Sequence, residues 1–448
     1  MGYFTGLSTE TVAAITTAQI AALATSNFTD LTTAQIVALT TNQVGALRSQ
    51  QVAAISSATI AQMATEDFAV LSTGAVTGLT TAQLRALTTS QIVALTTSQA
   101  GALTSRQVAA LLTESLAALQ TADFAALKPA ALAGLTTSQI ASLSTNHIVA
   151  LTTAGANALT TQQVAALDTR SIVALETADL VALKTAAIAA LGSNQVAALT
   201  TSQIQSLTNA TLAALSTSNI ANGLTTSQIV ALSSSQFAAL TTAQVSALST
   251  RGIAAIETAD IVGLTTAGVA ALKSAQITAL TTGQIVALSS TQVAAFSTAA
   301  AASLSTSQVV ALTTAQANAL TSQQVAALST SAIVAMETAD FAALKTAAVA
   351  ALTTDQIKAL TTSQVVALTT AGANALTTRQ ITALDTKSIV AFETADLAAL
   401  KTASVAALSS NQVAALTTSQ IQSLTNATLA ALSTANIANG LTLSLIHI

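Results

Sequence analysis

The 448-residue chain is 52% apolar, yet only 2% of it is aromatic and 7% charged; it has no Trp, no Cys and a formal net charge of −4. This balance excludes a disulfide scaffold, thiolate metal ligation and Cys nucleophiles, and it supplies no basic footprint for nucleic acid or anionic lipid. Mean hydropathy is +0.66, but no stretch offers the ~20 predominantly apolar residues of a spanning helix, and MGYFTGLSTE has neither the basic nor the apolar region of a signal peptide. With charge this far below the usual ~25%, Thr, Ser, Gln and Asn are expected to carry the surface.

Residues 1–6 read as a partial repeat, because Phe4, Gly6 and Leu7 already fit the last positions of a unit. From Leu7 the chain steps by eight through Ile15, Leu23, Leu31 and onward to Leu215; one residue intervenes, and the count resumes at Leu224 and runs to Leu432. The organisation expected is therefore an octad array over 7–223, a second over 224–442 and a non-repeat tail over 443–448. Such a period means a repeat array rather than a compact enzyme.

One octad, Thr136-Thr137-Ser138-Gln139-Ile140-Ala141-Ser142-Leu143, serves as the pattern. Thr at position one and Gln at position four form a capping box, and Leu135 with Ile140 forms the hydrophobic staple. Each octad thus begins a helix. Helices under ~12 residues are marginal alone, so they must stack, and the small Ala at position seven suits close approach. The fold expected is all-α, an elongated solenoid of very short helices, one per octad. A β-solenoid is the alternative that the Thr, Val and Ile content favours; a non-alternating pattern, abundant Ala and only 16 Gly argue against it.

Further along the chain, Pro129 falls at the first helical position, where Pro is tolerated. His147 replaces Gln in STNHIVAL and reads as a surface cap variant. A long segment beginning at Thr152 recurs at Thr369, and each copy ends in a nine-residue unit, STSNIANGL to Leu224 and STANIANGL to Leu441. Asn222-Gly223 and Asn439-Gly440 are expected to stop a helix in the left-handed conformation and to bend or rephase the array. Small core residues at Ala100 and Ala317 are followed after 24 residues by Phe124 and Phe341 (Leu180 and Leu397 stand at that step beyond Ala156 and Ala373), a hint of compensation across three octads.

A charged cassette recurs: Glu176 to Asp179 then Lys184, Glu337 to Asp340 then Lys345, Glu393 to Asp396 then Lys401, and Glu257 to Asp260 without the Lys. Asp168 with Arg170, and Asp385 with Lys387, precede two copies. Stacking is expected to set Glu176 beside Lys184 in a surface ion-pair ladder of about 0–1 kcal/mol per pair. A divalent-cation site of Asp168, Glu176 and Asp179 is the sharper reading, against which stands the lack of an Asp/Gly-rich loop to supply six to eight oxygens. Asn209-Ala210-Thr211 and Asn426-Ala427-Thr428 match a glycosylation acceptor, at the rate so Thr-rich a chain produces by chance. No catalytic, cofactor-binding or metal-ligating residue is nominated, no cofactor is expected, and the chain is not read as an enzyme.

LTTAQIVAL, LTTSQIVAL and LSTSQVVAL resemble the Ala/Thr/Gln-rich octapeptide tracts of very large bacterial surface or secreted, adhesin-like proteins. The resemblance covers residues 7 to 442 and implies an extracellular or cell-surface spacer, stalk or filament scaffold, with self-association or cell-surface components as partners. No nucleic acid, membrane span or small-molecule substrate is expected. Two alternatives stand beside it: a protein- or glycan-binding solenoid, which should show clustered aromatic or Arg anchors, and an ice- or mineral-binding Thr array, which needs a flat β-solenoid face. The closing LSLIHI resembles a translated sequencing adaptor, so the reading frame is expected to be clipped there, with His447 foreign to it, and long reads are expected to continue in octads past Thr442.

Overall fold

The computed structural model describes residues 2–440, and the chain divides into two compact units, Met1–Ala231 and Leu232–Ile448. Among the described residues both are all-helical arrays, one short helix per octad and no strand. The β-solenoid alternative fails, and the ice- or mineral-binding reading loses the flat face it required. The tail 443–448, with His447, lies outside the described residues.

Each helix starts as its sequence directs. The Thr136 hydroxyl accepts the Gln139 N–H at 3.2 Å, and Gln139 Oε1 accepts the Thr136 N–H at 2.8 Å. Leu135 and Ile140, the staple pair, are both buried. The helix Thr137–Ala141 spans five residues. Its neighbours along the chain are joined through two extended residues, such as Leu87 (φ −61°, ψ 140°) and Thr88 (φ −76°, ψ 155°), which make the corner between helices. Pro129 occupies the first turn of Pro129–Leu132 as expected.

The coil closes after three octads. Thr97–Ala102 lies against Thr73–Thr77 and Thr121–Ala125, and Thr314–Ala319 lies against Ser290–Ala294 and Thr338–Ala342. Residues 24 apart therefore belong to stacked helices, which places the Ala100 helix on the Phe124 helix and the Ala317 helix on the Phe341 helix. Positions five and eight fill the interior of each unit, as with Ile92 and Leu95. All eight Phe are buried, leaving Tyr3 as the exposed aromatic side chain.

The small residue at position seven permits this stacking. Gly263 stands there, and a Cβ on it would meet the Ser234 carbonyl oxygen at 2.2 Å. The nine-residue unit behaves otherwise than expected. Asn219–Gly223 widens into a π-turn, closed by the Leu224 N–H on the Asn219 carbonyl at 3.0 Å. Among the described residues Gly6 alone has positive φ, so Gly223 is not a left-handed stop. It is small because the turn below is close: a Cβ would meet the Ser193 carbonyl oxygen at 3.0 Å and Val196 Cβ at 3.1 Å. The extra residue is absorbed in the wider turn.

Candidate functional site

The most regular chemistry in the array lies at position four, and it is buried rather than exposed. Gln139 is 2% exposed. Its Oε1 completes its own capping box, while Nε2 donates to the Val108 carbonyl at 2.9 Å and the Leu111 carbonyl at 2.7 Å, 31 and 28 residues earlier. Those oxygens belong to the C-terminal end of a helix in the turn below; Val108 O also accepts the Leu111 N–H at 3.2 Å, while Leu111 O lies past the last turn, where carbonyls lack intrahelical partners. One side chain therefore satisfies the start of its own helix and the end of another.

The bond recurs throughout. Gln83 reaches Val52 and Ile55, Gln308 reaches Ile277 and Leu280, and Gln412 reaches Ile381 and Leu384. After the nine-residue unit the same bond spans one residue more, from Gln228 to Val196 and Leu199, 32 and 29 residues back. The expectation that Gln would carry the surface is thus overturned: the amide is the hydrogen-bonded seam between turns. A sequence signal for it exists. A capping box accepts Glu as readily as Gln, yet no octad carries Glu at position four; the acidic residue found there is the shorter Asp, in six octads.

Nine stretches match the ALTTAQ repeat, at residues 25–57, 60–97, 81–113, 116–153, 172–209, 222–250, 253–290, 333–370 and 389–426. Together they span more than half of the sequence. The chain belongs to the ALTTAQ repeat family. No curated protein matches it. Among solved structures, the leucine-rich repeat-containing protein LegL7 from Legionella pneumophila aligns at 11% identity over 51% of this chain and 78% of its own, with a TM-score of 0.13.

Other donors at position four of the ALTTAQ octad find the same carbonyl 28 residues back. His147 Nε2 lies 2.7 Å from the Leu119 carbonyl, Asn219 Nδ2 is 2.9 Å from Leu191 O, and Thr59 Oγ1 is 3.1 Å from Leu31 O. His147 is the cap variant its sequence suggests, with Nδ1 3.0 Å from Ser144 Oγ, but it is 3% exposed and not at the surface. Because a carbonyl only accepts, Nε2 carries the proton and Nδ1 is the acceptor.

The charged cassette is not an ion-pair ladder. Glu176 and Lys184 open successive octads, which lie on different sides of a three-octad coil rather than one above the other. Among the described residues the one ion pair is Lys358 Nζ to Asp355 at 3.9 Å, within a single helix. Nor do Asp168, Glu176 and Asp179 converge, and no metal-holding cluster occurs among the described residues. Asp168 and Asp385 cap their own helices, accepting the Ser171 N–H at 2.8 Å and the Ser388 N–H at 2.7 Å. These bonds hold both carboxyls below the usual range.

Asp at position four takes a different partner. The hydroxyl of the position-two residue 26 earlier donates to Oδ1, as Thr97 to Asp123 at 2.9 Å, Thr314 to Asp340 at 2.8 Å and Thr370 to Asp396 at 2.8 Å. The second oxygen of Asp179, Asp340 and Asp396 is buried without a partner.

Position six faces solvent. In the second unit Val262, Val286, Val310 and Val334 follow at 24-residue steps and are all exposed, one per turn along one side. Among the described residues no helix is long and apolar enough to cross a membrane.

Proposed function

We propose that this array is a spacer or stalk within a larger bacterial surface or secreted protein, a non-catalytic scaffold that sets distance between other modules. The observation that carries the reading is the position-four seam. Most turns are bonded to the one below by a glutamine at the same position of the octad, so turns can be added or lost without new contacts having to be devised. Quasi-one-dimensional stability of this kind suits variable length. The resemblance to octad tracts of adhesin-like proteins supplies the extracellular setting.

The test is cell fractionation with protease shaving of intact cells that express the native locus, alongside long-read sequencing of that locus. Array peptides released from intact cells, and a gene in which the array joins other domains, are expected. Array confined to the cytosolic fraction would remove the surface assignment.

A second reading, self-association along one face, is favoured by the exposed line from Val262 to Val334. Replacing Val286 and Val310 by Ser should then lower the sedimentation coefficient at high concentration. The same substitutions leave a spacer unchanged.

A further inference from the structure

Five side-chain types at position four donate to the carbonyl 28 residues back: Gln139 to Leu111, His147 to Leu119, Asn219 to Leu191, Thr59 to Leu31 and Ser404 to Leu376, whereas Thr211 and Thr428 turn their hydroxyls to the N-cap carbonyls of Thr208 and Thr425. Asn is the closest in shape to Asp. Asn219 and Asn436 accept on Oδ1 from the position-two serines 26 residues earlier, Ser193 and Ser410 at 3.3 and 3.2 Å, and donate Nδ2 to Leu191 and Leu408. Asp340 and Asp396 make the first of these bonds with Thr314 and Thr370, and Asp179 makes it with Thr153. Their Oδ2 atoms stand where the Asn Nδ2 would be, buried and unpartnered, each aspartate being 2% exposed.

We propose that Asp179 is a neutral acid in the folded chain, its Oδ2–H donating to the Leu151 carbonyl 28 residues back, so that the array contains a proton-dependent seam that loosens when this proton leaves to water. An ionised oxygen in that place would face a carbonyl oxygen with no donor between them, which is the arrangement a buried charge cannot bear.

The surroundings offer no compensating cation. Asp179 lies between Thr153–Ala158 and Thr201–Ser206; neither helix carries a titratable side chain. The helix before Leu151 holds His147, whose ring is spent on Leu119 and Ser144. On its own element Asp179 meets Glu176 at the N-cap. For Asp179, burial pushes the carboxyl above its usual range and Glu176 adds to it, against the Thr153 hydroxyl bond. The sign follows: a carboxyl raised in the folded state contributes stability that is complete below its unfolded value and is lost as pH rises through the folded one.

Infrared difference spectroscopy of the full chain against Asp179→Asn tests this. Asn219 and Asn436 show that Asn fits. The wild-type-minus-variant spectrum is expected to keep the C=O stretching band of a protonated carboxylic acid above the pH at which exposed carboxyls ionise. The urea midpoint of wild type is expected to fall as that band disappears, while the variant's stays level. Should the acid band vanish together with that of the exposed carboxyls, or the variant lose stability in parallel with wild type, the proposal is overturned; the wild-type spectrum decides the first point even if the variant does not fold.

Discussion

Gln139 Nε2 and the Leu111 carbonyl oxygen, 28 residues apart in sequence, meet at 2.7 Å in the interior of the first unit. The bond couples a helix start in one turn to a helix end in the turn below. Removing the amide by Gln139→Ala strands the buried Leu111 carbonyl, leaves the Val108 carbonyl with the Leu111 N–H alone, and removes half of the Thr136 capping box. A loss of about 1–3 kcal/mol is expected, measurable as a lowered urea midpoint with faster amide exchange around residues 105–111.

Gln139→Glu separates the two duties of that side chain. The carboxylate keeps the cap through an oxygen but cannot donate to the carbonyls. The variant should be less stable than wild type at neutral pH and recover part of the loss in acid, as the protonated acid regains a donor. Equal stability of variant and wild type at neutral pH would show that the inter-turn bond contributes nothing.

His147→Gln should be tolerated, since it restores the residue most octads use. His147→Ala leaves the Leu119 carbonyl unpaired and should cost about 1–3 kcal/mol. Thermal melts of the two variants side by side distinguish a seam residue from a surface one, for which neither change would register.

The capping carboxyls give the acid limb of the pH profile. Asp168 and Asp385 are lowered by the Ser171 and Ser388 N–H bonds they accept, so their contribution is present above the unfolded carboxyl value and is lost as pH falls through the folded one. Asp168→Asn with Asp385→Asn should flatten the loss of stability in acid, followed by denaturant midpoints across an acid pH series.

Two glycines give opposite outcomes with one substitution. Gly263→Ala drives a Cβ to 2.2 Å from the Ser234 carbonyl oxygen, which backbone can relieve only by separating the turns, and should destabilise the second unit. Gly283→Ala meets Thr258 Cγ2 at 3.4 Å and Thr281 Oγ1 at 3.9 Å, both ordinary contacts. It should stabilise by about 0.5–1 kcal/mol, the helical advantage of Ala over Gly. Differential scanning calorimetry of both variants reads the two signs.

Sequence by itself determined where each helix starts, which positions face the interior and that the helices must stack. The reason is range: the Thr136–Gln139 box and the Leu135–Ile140 staple act within six residues, so their chemistry is complete in any one octad. Pro129 at the head of its helix was determined in the same local way. Tertiary structure alone decided that three octads close a turn. That number buried the second half of the Gln139 amide, and of most position-four Gln amides, against carbonyls 28 and 31 residues away, drew His147 inward, took Glu176 away from Lys184 and let a π-turn at Asn219–Gly223 absorb a residue that looked like a break. Each of these depends on which residues a closed coil brings face to face, and an eight-residue period is compatible with more than one closure.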